Sequence, residues 1–469
     1  MTLRRFPPNP GGQTAVMPHS VIPGLVPGAK VSASAAIGPR DKPGDDGVFY
    51  VGDDGVGDAG VFRGGDAGVF RAGGAGHHDP RGARNQRTLT RRAALLGLTG
   101  LATAGRARLA LADTPGEQRF VVVLLRGALD GLAAVVPHGD SGFLALRGRP
   151  PEGLLDLGGF YGLHPSLAGL HTLYKDGALL PIHAVAGPYR VRSHFEAQDC
   201  LESGSDHRMT SGWLNRVVVA MGGAPRTKAL AVGVSVPLLL RGAVTVDNWA
   251  PHGMAEPAPD LYAAIAALHR DDTLTGPAIQ AGLQERGFST KALAGQAEDK
   301  NRYAFPALAR AAGTLLAAPG GPRVAALEIG GWDTHAGQAG RLNAPLKQLD
   351  EGLMALKAGL GAAWAQTAVL VMTEFGRTAR MNGTGGTDHG TGGVAFVLGG
   401  TVAGGRVAGD WPGLSEPRLF ENRDLAPTTD LRAVSKGLLA QHLRLSPAAL
   451  EQIFPDSAKA PGMRGLVRV

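Results

Sequence analysis

The chain has 469 residues, 44% of them hydrophobic and 19% charged, an ordinary globular composition long enough to bury a large core. Its formal net charge is +7, yet residues 1 to 112 carry 14 Lys and Arg against 8 Asp and Glu, which leaves 33 against 32 for the rest. Nucleic-acid recognition needs clustered basic residues on the folded part, so that class is excluded. Cys200 is the only cysteine, which excludes an intrachain disulfide, and no stretch is apolar for long enough to act as a transmembrane anchor.

Residues 1 to 88 are dense in Gly, Pro, Asp and Arg and repeat themselves, with GDDGV at Gly44 and Gly52 and GDAGVFR at Gly57 and Gly65. No helical or strand period persists there, as in a disordered low-complexity segment. TRRAALLGLTGLATAGRARLALADT follows from Thr90. Arg91-Arg92, a weak apolar run, Arg106 and Arg108 behind it, and the small-x-small Ala110-Leu111-Ala112 read as a twin-arginine signal over residues 89 to 112. The twin-arginine translocase would then deliver residues 113 to 469 as one domain to the periplasm or the medium. A signal so deep in the chain points to a non-ATG start at Leu89, in which case residues 1 to 88 are not translated.

The apolar run Phe120 to Leu125 predicts a strand covered on both faces. His164 to Lys175 is spaced as a helix, Leu179 to Ala186 as a strand, Trp213 to Met221 as a helix and Ala229 to Val236 as a strand. Helices are expected over Asp260 to His269 and Tyr303 to Leu316, a strand over Val324 to Ile329, and one long helix over Gln338 to Leu360. Strands at Ala368 to Met372 and Val394 to Leu398 precede a last helix, Thr429 to His442, capped by Thr428 or Thr429. Such alternation implies a mostly parallel sheet between two layers of helices, a three-layer α/β/α sandwich.

Polar residues gather just after the strands: Asp130 after the first, Ser193 and His194 after the Leu179 strand, Asp333 and His335 after the Val324 strand, Glu374 and Arg377 after the Ala368 strand. Ligands of open parallel sheets bind at the carboxyl strand ends, so these groups form one convergent site. GTGGTDHGTGG, Gly383 to Gly393, adds Asp388 and His389. Glycines on both sides let the two adjacent side chains reach one centre, with His389 as a direct metal ligand and backbone N–H groups open to an anion.

RGALDGLAAVVPHGD, GLHPSLAGL, RSHFEAQD, GWLNR, GGWDTH, TEFGRT, GTDHG and GDWPGL together resemble the bacterial family called domain of unknown function 1501, from about Arg119 to Pro455. That family is in turn similar to the alkaline phosphatase and sulfatase superfamily. The resemblance implies a metal site at the strand ends, with Asp130 matching a metal-binding Asp, Ser193 a nucleophile opening a helix, and Asp333 with His335 a further ligand pair. Where the superfamily has Asp-His this chain has Glu374-Phe375, so one imidazole is missing or replaced, which argues against a full two-zinc site and for a single divalent metal, Zn or a harder ion such as Mg, Mn or Ca.

These residues predict an exported metal-dependent hydrolase or transferase of phosphate or sulfate esters. Asp130, Asp333, His335, Glu374, Asp388 and His389 form the ligand pool, and Ser193 is the nucleophile. Arg192 and Arg377 hold the anion, and His194 or His335 protonates the leaving group. The alternative is a non-catalytic periplasmic binding or assembly protein that keeps the fold and works with a partner of the family numbered 1800. A third reading is a polysaccharide-modifying enzyme that needs no metal.

Overall fold

The computed structural model describes residues 118–222, 229–251, 259–273, 275–296 and 301–468. The signal over residues 89 to 112 and the repeats before it lie outside them. Eight strands form one sheet: β1 (Arg119–Leu125), β2 (Leu179–Ala186), β3 (Ala229–Val232), β4 (Asp247–Trp249), β5 (Val324–Ile329), β6 (Thr367–Thr373), β7 (Gly393–Leu398) and β8 (Thr429–Asp430). Their order is β8-β2-β7-β6-β1-β5-β3-β4, and every neighbouring pair is parallel except the two that involve β7. The carboxyl ends of seven strands and the amino end of β7 therefore share one edge.

Among the described residues, the helices of seven residues or more are α1 (Ala168–Lys175), α2 (His194–Ser203), α3 (Trp213–Ala220), α4 (Pro259–Leu268), α5 (Thr275–Ala292), α6 (Phe305–Ala317), α7 (Asn343–Leu360), α8 (Leu431–Gln441) and α9 (Pro447–Ile453). Side chains of a strand alternate between faces, and β1 shows what each face meets. Val121, Val123 and Leu125 join α1, α6 and α7 in one apolar cluster, while Phe120, Val122 and Leu124 join α3, α8 and α9 in another. Two helical layers thus cover one sheet, the sandwich that the strand–helix alternation predicts. None of the described helices is long and apolar enough to cross a membrane.

Three local expectations change. The long helix is broken into Gln338–Arg341 and α7. Pro345 has no N–H to offer Arg341, so the first helix stops there. The helix expected over Thr429 to His442 begins at Leu431 with Asp430 as its cap, accepting from Arg432 N at 2.8 Å, and α9 follows it. Thr429 and Asp430 pair with Val185 and Ala186 first, which postpones the helix past both threonines. The strand expected to reach Val236 ends at Val232, where Gly233 turns with φ +150°.

Candidate metal centre

Four segments at the shared edge meet. After β5, Trp332 is fully buried and donates from Nε1 to Ile329 O at 2.9 Å, which brings Asp333 out of the turn that follows. After β2, the chain reaches α2, whose first residue is His194. After β6 come Glu374 and Arg377, and the glycine-rich loop then folds back onto these turns before it enters β7.

The glycines allow that return. A Cβ at Gly386 would stand 2.2 Å from the His335 carbonyl carbon, and one at Gly390 2.3 Å from that of Arg377, so only glycine permits the backbones to touch. Thr387 N donates to Thr334 O at 3.1 Å, Gly390 N to Gly376 O at 2.8 Å and Thr378 N to Asp388 O at 2.9 Å. Asp388 and His389 are held from both sides, and neither caps a flexible turn. The open nest of N–H groups does not form, because Gly386 N donates to Asn382 Oδ1, Gly390 N to Gly376 O and Gly392 N to Leu425 O.

Three imidazoles converge on Asp333. His335 Nε2 is 3.0 Å from Asp333 Oδ1, His389 Nε2 is 3.4 Å from the same oxygen, and His194 Nε2 is 3.5 Å from Oδ2. The Nε2 atoms of His335 and His389 are 3.0 Å apart. Each ring is pinned at its other nitrogen: His194 Nδ1 to Glu374 Oε1 at 2.8 Å, His335 Nδ1 to Asp388 Oδ1 at 3.0 Å, and His389 Nδ1 to the Arg192 carbonyl at 2.9 Å. Two carboxylates and a carbonyl only accept, so each Nδ1 carries the proton and each Nε2 turns a lone pair to the centre.

Lone pairs facing a carboxylate need a cation between them. His194 Nε2 is buried and has no hydrogen-bond partner. His335 Nε2, His389 Nε2 and Asp333 Oδ1 form a triangle with edges of 3.0, 3.0 and 3.4 Å. Donors around a tetrahedral ion with bonds of ~2.0–2.1 Å stand about 3.3 Å apart. His194, Asp333 and His389 are also close enough together to share one ion. The residues fit a metal, and a set of imidazoles with one carboxylate favours zinc or a similar transition ion over the harder Mg and Ca.

Charge around the centre agrees. With no ion between them, the carboxylates of Asp333 and then Glu374 raise the pKa of His194 to about 9, against burial that lowers it. Burial opposes ionisation of Asp333, yet the neighbouring imidazoles of His194 and His389 and the guanidinium of Arg377 hold its carboxyl far below the usual range. Glu374 is likewise buried and likewise held low, by His194 and Gln198.

Several expected roles are revised by these positions. Asp130 is 1% exposed and its carboxylate is taken up by other partners: Arg147 NH1 donates to its Oδ2 at 2.5 Å, Arg147 NH2 to its Oδ1 at 3.0 Å, and Gln338 Nε2 to its Oδ2 at 2.6 Å. Glu374 and Asp388 stand behind His194 and His335 as acceptors. Arg377 is fully buried on Asp333 at 2.6 Å and on Thr387, and Arg192 is paired with Asp424 and Glu421, so neither guanidinium is left unpaired for an anion. The nitrogens of His194 and His335 are committed to the ring pattern, which replaces their expected role as proton donors. The His194 ring lies 4.9 Å from that of Phe375. Ser193 is half-buried at the start of α2, and its hydroxyl makes no capping bond there.

No curated protein matches this chain. Among solved structures, it is similar to the C-terminal periplasmic domain of EcEptC from Escherichia coli, crystallised in complex with Zn, at 11% identity over 61% of this chain and 74% of that one, with a TM-score of 0.30. Residues 178–454 match the family described as protein of unknown function (DUF1501), a span that takes in β2 through α9 and all four residues of the centre, and the chain belongs to that family.

Proposed function

We propose that the protein is a metal-dependent hydrolase or transferase acting on phosphate or sulfate esters, related to the alkaline phosphatase and sulfatase superfamily. The observation that carries this reading is the set of three imidazoles, each fixed at Nδ1 and aimed by Nε2 at Asp333. His194, His335, His389 and Asp333 would hold the ion. Bound there, it supplies positive charge that polarises an ester oxygen and lowers the pKa of a nearby hydroxyl. Ser193 adjoins His194 and keeps its hydroxyl free of helix capping. In the proposed step its Oγ bonds to phosphorus or sulfur, its proton passes to solvent, and the ester oxygen leaves and takes a proton from water. Water then releases the acid, or a second hydroxyl accepts the group.

Arg91-Arg92 and Ala110-Leu111-Ala112 support export of this enzyme by the twin-arginine translocase to the periplasm or beyond. One observation favours the alternative, an exported metal-holding assembly protein working with a partner of the family numbered 1800. Arg192 and Arg377 are both spent on carboxylates, so the centre has no arginine clamp for an anion.

Elemental analysis of purified protein should find a divalent metal, and a panel of phosphomonoesters, phosphodiesters and sulfate esters should show turnover that Ser193→Ala abolishes. Metal without turnover of any ester leaves the assembly reading. A protein that carries no metal and gains no thermal stability from any divalent ion sinks both.

A further inference from the structure

Asp130 and Asp333 each follow a strand of the same edge, and each carries a buried guanidinium. Around the centre, other carboxylates are engaged as well. Glu374 accepts from His194, Gln198 and Gly127 N, Asp388 from His335 and Asn382, and Asp424 from Arg192 and Thr391. Asp333 is the carboxylate that meets the Nε2 atoms of all three imidazoles.

Arg147, at the end of the short helix Phe143–Arg147, is the group that takes Asp130 out of the pool. Its fork holds both carboxylate oxygens, its Nε donates to Ala379 O at 2.6 Å, and its NH2 also donates to Thr378 O at 2.8 Å. The pair is 4% and 1% exposed. From Asp130 the contacts run on through Gln338, whose Oε1 accepts from Thr387 Oγ1 at 2.6 Å, to Arg377, which donates from Nε to Thr387 Oγ1 at 3.2 Å and from NH1 to Asp333.

We infer that Arg147 is a built-in cation that closes Asp130 to metal, so that the centre takes a single ion and is held in shape without it. This inference rests on the reading of His194, Asp333, His335 and His389 as a metal site. A guanidinium matches a carboxylate by two parallel hydrogen bonds and keeps its charge at every working pH, which makes it a permanent substitute for a bound ion. Arg147 also ties Asp130 to the turn that positions Asp388, so the strand ends stay assembled when the ion leaves.

The experiment counts zinc per chain after the metal-free protein is dialysed against zinc and the excess is removed. One equivalent is expected for the natural chain. Two equivalents would overturn the inference and leave the metal reading standing, whereas none would remove both. Asp130→Asn should bind its single zinc within about 3-fold of the natural affinity, since outer contacts that fix a ligand typically change affinity 10–100-fold and this carboxylate is further out. A loss beyond 100-fold would make Asp130 a ligand and refute the assignment. Arg147→Ala should gain a second, weaker equivalent, and a count that stays at one would show that the guanidinium is not what keeps a second ion out. If Arg147→Ala does not fold, the double variant Asp130→Leu with Arg147→Leu removes the pair together and should still bind one zinc.

Discussion

His183 and His194 stand on either side of the turn that ends β2, and their surroundings drive them in opposite directions. His183 is 1% exposed. Its Nε2 donates to Val135 O at 2.9 Å, its Nδ1 accepts from Ala184 N at 3.0 Å, and its ring stacks on Tyr161. Burial pushes its pKa down to about 4, with the Val135 hydrogen bond and the charge of Asp130 pulling weakly the other way. His194 has carboxylates on both sides and a pKa raised to about 9. One histidine has spent both nitrogens on backbone and acts as a polar plug in an aromatic cluster. The other has spent one and presents the second. A histidine binds metal when its outer nitrogen is fixed and its inner one is left over, and the residue type alone does not decide that.

The largest effect should come from breaking the inner set. His389→Ala removes one of the converging nitrogens and should weaken metal binding by more than the ~10–100-fold typical of an outer contact, with the far-ultraviolet circular dichroism unchanged. His183→Phe should do the reverse, keeping the metal and losing stability. Isothermal titration with zinc and urea denaturation of both variants give the two readings. Full metal occupancy in His389→Ala would show that the centre described here is not a metal site.

Acid should separate the two histidines next. Unfolded, His183 titrates near 6.5, and folded near 4. Above pH 6.5 it is neutral in both states and costs nothing. As pH falls from 6.5 to 4, the unfolded chain gains a proton that the folded chain refuses, so stability is lost, levelling at roughly 3 kcal/mol below pH 4. Urea midpoints between pH 7 and 4 should fall more steeply for the natural chain than for His183→Phe. Parallel slopes would mean that the buried imidazole finds a way to ionise in the fold.

Six of the eight strands were legible in the sequence, because a strand covered on both faces shows as an apolar run, as in β1 and β6, whereas β4 (Asp247–Trp249) and β8 (Thr429–Asp430) are short and polar and carry no such run. Legible too were Asp333, His335, Asp388 and His389, polar groups beside glycine at strand ends. What the residues could not disclose is which carboxylates face inward. Glu374 meets His194 across 180 residues of chain and Asp130 meets Gln338 across 208, and no local pattern encodes such pairings. The choice of Asp130 as a ligand rested on its position after β1. Arg147, whose guanidinium holds that carboxylate, is only 17 residues away, but on a short helix whose direction depends on the whole fold. The break before α7 was readable, since Pro345 lies inside an otherwise continuous helical pattern.

The smallest effect concerns the two carboxylates that stand behind the imidazoles. The Glu374 side chain is 1% exposed and that of Asp388 is 50% exposed. Charge acts strongly where water is excluded and weakly where it is not, because the effective dielectric falls with burial. Glu374→Gln keeps an acceptor for His194 Nδ1 but deletes a buried negative charge, and should weaken zinc binding by about 10–100-fold. Asp388→Asn deletes a charge that water already screens, and should cost less than about 10-fold, with the difference shrinking further in high salt. Competition against a chromogenic chelator at two salt concentrations measures both. If Asp388→Asn proves the costlier change, His335 rather than His194 anchors the ion, and the buried face of the centre is scaffolding alone.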